Sequence, residues 1–178
     1  MAISYELITG ATLGSTTQYI DLTSISQNYL HLYLKCSLRS NRVGGDDGSV
    51  MVRLNSSTTN YDYQQYFIYY SNTMSHSDGT FGTSTYIQSL GIPQDPTNQY
   101  HFGHFELFIP NYSDSTRYKS VMTVGHNTRT INPGGIFAEG GGFFQDTSAI
   151  SSIRLMTDAG SASFVTGSRY DLYGIHSS

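Results

Sequence analysis

The chain has 178 residues, 38% of them hydrophobic and 12% charged, with a net charge of −4. Roughly half the usual charged share, beside 15 Tyr, 9 Phe and 18 Gly, excludes a disordered chain, which is poor in aromatics and rich in charge. It also argues against a nucleic-acid binder: the tightest basic group, Lys35, Arg39 and Arg42, is too sparse to neutralise a row of phosphates.

In chain order, MAISYELITG has neither the basic start nor the long apolar run of a signal peptide. No stretch approaches the roughly 18 apolar residues of a membrane span. The expectation is a soluble protein made in the cytoplasm, with no membrane association. Ile3–Thr9 and Thr17–Thr23 suggest two strands, joined across Gly10–Ser15 by a hairpin or short loop. Tyr29–Arg39 is the clearest element. Leu30, Leu32, Leu34, Cys36 and Leu38 share one parity, and His31, Tyr33, Lys35, Ser37 and Arg39 share the other. Side chains alternate faces along a strand, so one face is apolar and one wet. Cys36, the only cysteine, falls among the core leucines, and no intrachain disulfide is available.

Asn41–Ser49 is a Gly/Asp turn cluster, and Ser49–Asn55 alternates again. Tyr61–Tyr70 (YDYQQYFIYY) is an aromatic strand, and Ser71–Thr80 a polar loop. Thr83–Leu90 is a short strand or helical turn, with Pro93 and Pro96 in the loop after it. His101–Ile109 is apolar on both parities, which suggests a strand covered on both sides. Arg117–His126, Gly135–Phe144, Ile150–Met156 and Arg169–His176 bring the set to about ten strands. No run of ten or more residues carries a helical apolar period. The fold expected is all-β: an antiparallel β-sandwich, jelly-roll-like, with very little helix. One domain spans residues 1–178, with Met1–Ser4 and Ser177–Ser178 as short arms.

Catalytic and metal-binding patterns are weak. His101 and His104 stand three apart in a strand, so they point to opposite faces and cannot grip one metal. His31, His76, His126 and His176 are scattered. Asp46, Asp47 and Gly48 lack calcium-loop spacing and read as a solvated turn. Glu6, Glu106 and Glu139 are the carboxylates from which a glycosidase pair would be drawn, but the sequence does not pair them. The run PGGIFAEGGGFF is not a phosphate loop, because no Gly-Lys-Ser/Thr closes it; its glycines mark bulges or close backbone approach. Asn55-Ser56-Ser57 and Asn111-Tyr112-Ser113 match glycosylation sequons, read as chance without a secretory signal. No catalytic residue, cofactor or metal is expected. The partner-contact candidates are Tyr61, Tyr63, Tyr66, Tyr69 and Tyr70, whose rings suit interfaces and sugar stacking, and the wet face His31, Tyr33, Lys35 and Arg39. The tyrosines divide between both parities, so part of that cluster is core.

The stretch YELITGATLGSTTQYIDLTSISQNYLHLYLKCSLRSNR resembles the opening of small structural proteins of tailed bacteriophages, especially marine and cyanobacterial ones. Their pattern is a short strand, a Gly/Ser turn, a second strand ending in "-SIP-Y-" and a long alternating strand ending in "-RS-R". Ser26 and Gln27 stand where the usual proline is expected, so that turn departs from the pattern. Val52-Arg53-Leu54-Asn55, Ile109-Pro110-Asn111-Tyr112 and Leu172-Tyr173-Gly174-Ile175 also fit. The resemblance implies a non-enzymatic virion component on the capsid surface, a head decoration (cement) protein. Its partner is then the major capsid protein, and it is a homo-oligomer, a trimer for preference. Alternatives are a tail-fibre or tailspike domain binding host glycans, and a β-sandwich glycan hydrolase.

Overall fold

A computed structural model describes residues 3–43, 47–69, 73–94, 100–129, 134–157 and 162–177. Among these the chain forms twelve strands and no helix. They are β1 (Ile3–Thr12), β2 (Tyr19–Leu22), β3 (His31–Leu38), β4 (Asp47–Leu54), β5 (Tyr61–Tyr69) and β6 (Met74–Ser84), then β7 (Ile87–Pro93), β8 (Gly103–Pro110), β9 (Lys119–Arg129), β10 (Gly134–Phe144), β11 (Ile153–Thr157) and β12 (Arg169–Ser177).

All pairings are antiparallel and make two sheets. The large sheet runs β1-β12-β3-β8-β9-β10-β5-β6, and the small one β2-β11-β4-β7. The fold is therefore an all-β antiparallel sandwich. Its strands divide eight and four, whereas a jelly roll divides eight strands between two sheets.

The strand β3 follows the alternation its sequence dictates. Leu32, Leu34, Cys36 and Leu38 are buried against the small sheet, while Lys35 and Ser37 are exposed. Leu30 falls outside the strand and is partly exposed, its amide donating to Ile175 O at 2.8 Å. Val50, Val52 and Leu54 of β4, Ile153 and Leu155 of β11, and Ile20 and Leu22 of β2 supply the facing layer. The two layers touch backbone to backbone at β7. A side chain at Gly125 in β9 would overlap the Leu90 carbonyl, and one at Gly103 in β8 would overlap that of Gly91. Only glycine lets the strands approach so closely.

Several elements differ from the sequence reading. The first two strands do not form a hairpin: β1 is an edge of the large sheet and β2 an edge of the small one. Ile3 and Ser4, expected in a free arm, belong to β1 and pair with Ser177 and His176. The expected polar loop Ser71–Thr80 is largely β6, which pairs with β5 through backbone groups its side chains do not advertise. Pro93 ends β7 instead of lying in a loop. The strand β8 is covered on one side only: Phe105, Leu107 and Ile109 are buried, and His104, Glu106 and Phe108 are half-buried. Tyr70, Asp46 and Pro96 lie outside the described residues.

Candidate functional site

The four-stranded sheet packs on the inner surface of the eight-stranded one, and among the described residues no strand packs on the large sheet's outer face. Register fixes which side chains share that face, because partners directly opposite point the same way. One row runs Leu7, Tyr173, Tyr33, Phe108, Met122, Gly141, Gln64, Asp78 across all eight strands. The next row runs Asp171, Lys35, Glu106, Val124, Glu139, Tyr66, His76.

On the β1 side of the face the rings form a ladder. Tyr5 meets Tyr33 edge-on at 6.1 Å, Tyr33 and Tyr173 lie 6.3 Å apart, and His31 meets Phe108 at 5.4 Å. Beneath it lies a charge row, with Lys35 between Asp171 and Glu106. Burial pushes the Glu106 carboxyl up, but hydrogen bonds from Tyr33 and His104 outweigh it and hold the group below its ordinary range. His104 Nε2 lies 2.8 Å from Glu106 Oε1. The same burial, with the bond to Glu106, pushes the Tyr33 phenol well up, so it stays a neutral donor.

On the β6 side the face is interrupted by Gly141. A side chain there would put its first carbon 2.7 Å from the Val121 carbonyl oxygen, so β9 and β10 approach only because the position is bare. The gap is ringed by Gln64, Tyr66, Met122, Glu139 and Phe143. It opens into two adjoining depressions of about 460 and 480 Å³, the second reaching Asp62 and Asp78. Asp62 Oδ1 accepts from the Phe143 amide at 2.9 Å and so fixes that wall.

The partner-contact candidates are thus divided by the fold. His31, Tyr33 and Lys35 stand together on the outer face. Arg39 follows β3 with its guanidinium over the Phe102 ring, 5.6 Å from its centre. Tyr66 is exposed on the same face, and Tyr69 is half-buried at the end of β5, edge-on to Phe67. Tyr61 and Tyr63 point inward and are buried, so they offer no surface to a partner. Tyr61 stacks on Phe144 at 4.9 Å, and burial pushes its phenol up to about 12.

The sequence reading missed Tyr5, Leu7, Phe108, Met122, Phe143 and Tyr173 as face residues. They sit on five different strands, and nothing in their local sequence says that they share a face.

Of the candidate carboxylates, Glu106 and Glu139 share the outer face with Val124 between them, whereas Glu6 sits at the β1 edge, bonded to His176 and Tyr29. A general acid needs its proton held near neutral pH; Glu106 is instead held charged. Among the described residues no three His, Cys, Asp or Glu gather to hold a metal ion, and no helix is long and apolar enough to cross a membrane.

No family model matches the chain, and no curated protein matches it. Two solved structures show slight likeness. Scytalido-glutamic peptidase, crystallised with a transition state analog inhibitor, is 10% identical with a TM-score of 0.28, over 92% of this chain and 75% of that one. The CBM2 module of the evolved Dit of Lactobacillus casei BL23 phage J-1 is 10% identical with a TM-score of 0.18, over 97% and 77%. Scores so low carry no argument about fold or activity.

Proposed function

We propose that this chain is a non-catalytic virion structural protein, a capsid decoration protein that docks through the outer face of its large sheet. The observation that supports this most is the set of exposed apolar side chains on that face. Tyr5, Leu7, Met122 and Phe143 are each more than half exposed although they sit in the regular strands β1, β9 and β10. A large exposed apolar surface on a soluble fold marks an interaction site.

The size is adequate. Eight strands about 4.8 Å apart span about 38 Å, and strands of eight residues run about 27 Å. The face therefore offers about 1,000 Å², against about 800 Å² per partner in a standard interface. Tyrosine, methionine and phenylalanine are the residues that interfaces favour. The capsid as partner rests on the resemblance of the Tyr5–Arg42 stretch to phage structural proteins. A trimer would present the face to several lattice subunits at once and multiply modest affinities by avidity. The charge row would set orientation more than strength.

Cosedimentation with expanded capsids tests the proposal. The wild type pellets in a fixed copy ratio, and Leu7→Glu with Met122→Glu abolishes pelleting while the melting temperature holds. Immuno-electron labelling confined to the tail tip would overturn it.

A further inference from the structure

We propose that the Gly141 gap is a binding site for a neutral carbohydrate. The gap shares Met122 and Phe143 with the face proposed to dock on the capsid, but binding of a free sugar is measured on the isolated protein and so is tested apart from capsid attachment.

The gap cannot close. Adding a methyl group at Gly141 forces the Val121 carbonyl aside, so the floor is bare backbone. Its walls stand well clear of the floor, since Tyr66, Met122 and Phe143 are 58%, 52% and 52% exposed. Gln64 stands opposite Gly141 between the two aromatic positions, with Glu139 opposite Tyr66 and Asp62 opposite Phe143. The Tyr66 ring is steadied by His76, centres 6.3 Å apart. The Phe143 backbone is tied by Asp62.

The chemistry of these walls selects a ligand. Carboxylates accept hydrogens and do not donate them, and an amide does both. A ligand rich in hydroxyl groups meets both demands. Its C–H surfaces suit the faces of Phe143 and Tyr66, which carry negative charge density. Among the described residues no lysine or arginine lines either depression, while Asp62, Asp78 and Glu139 do. Anionic ligands, including phosphates and uronic acids, would meet like charge. A cationic side chain is the competing occupant, since aromatic faces also attract cations. Such a side chain carries donors only and cannot accept from the Gln64 amide, whereas a sugar hydroxyl can.

Calorimetric titration with neutral oligosaccharides of glucose, galactose and mannose, with polygalacturonate, and with an oligo-arginine peptide separates these occupants. The expected result is saturable binding of at least one neutral oligosaccharide, weakened about tenfold or more in both Phe143→Ala and Tyr66→Ala, at unchanged melting temperature. Glu139→Gln, whose amide still accepts, is expected to lose less. The proposal is overturned if no neutral oligosaccharide binds, if binding ignores both ring substitutions, or if only polygalacturonate or oligo-arginine binds.

Discussion

The Tyr61 hydroxyl accepts a hydrogen from the Leu54 amide at 2.8 Å and donates one to the Leu54 carbonyl at 3.0 Å. One side chain thus satisfies both backbone groups at the end of β4, from the opposite sheet. Replacing it with phenylalanine keeps the stack on Phe144 but leaves the buried Leu54 amide without an acceptor, while the Leu54 carbonyl keeps its bond from the Ser57 amide at 3.0 Å. Tyr61→Phe should lower stability by about 1–3 kcal/mol, read as a fall in the denaturant midpoint at constant slope. Asn55 performs a similar service nearby. At φ 51° it turns the chain, while its side-chain oxygen accepts from the Ser151 amide at 2.8 Å and its nitrogen donates to Ala149 O at 2.9 Å. Neither role was legible in the sequence. Tyr61 counts as one tyrosine among many until its parity is anchored to the core. An Asn-Ser-Ser string advertises a turn or a sequon, not a brace between loops nearly a hundred residues apart.

Among elements, β3 was the most legible, because its period of two is unbroken and its apolar side is all leucine and cysteine. Leu34 is completely buried. Leu34→Ala should cost about 2–5 kcal/mol in chemical denaturation. Leu34→Asp, which puts a charge in the same place, should prevent folding; a soluble, cooperatively melting mutant would contradict the assignment. The strand β5 was half legible: its aromatic richness was plain, but the assignment of Tyr61 and Tyr63 inward and Tyr66 outward needed the bracing of Phe144 and Gln65. Gln65 Nε2 donates to Ser77 Oγ at 2.7 Å, and its oxygen accepts from the Leu90 amide at 2.9 Å. The strand β6 was not legible at all. Ser, His, Asp and Gly have poor strand propensity, and the segment is extended because β5 pairs with it. The Gly141 gap was missed for a related reason. The glycine run signalled close backbone approach, which the structure bears out, but a hole on a sheet face appears only when three strands are in register.

At the scale of the molecule, four carboxylates among the described residues are held below their ordinary values. Hydrogen bonds from His176 and Tyr29 lower Glu6, those of Thr116 lower Asp114, and those of Ser148 lower Asp146; Tyr33 and His104 lower Glu106 against its burial. An acid whose folded value lies below its unfolded one favours the fold above the unfolded value and loses that favour as pH falls through the folded one. The ordinary values are 4.5 for glutamate and 3.8 for aspartate. The melting temperature should therefore be level down to about pH 5 and fall steadily below it. Glu106→Gln should show a shallower fall, read from melting curves between neutral and strongly acid buffer. The overall sandwich was foreseeable from alternation and turn spacing, while its eight-and-four division depended on pairings between distant segments. The most distant joins the two ends of the described chain. The strand β12 lies between β1 and β3, so the large sheet has a missing plank until residue 177 exists. The strand β1 is made before β3 and β12 after both, so β1 has no neighbour in the large sheet until β12 is in place. The edge strand β1 is thus held by a segment made long after it, and closing the large sheet waits on that late arrival.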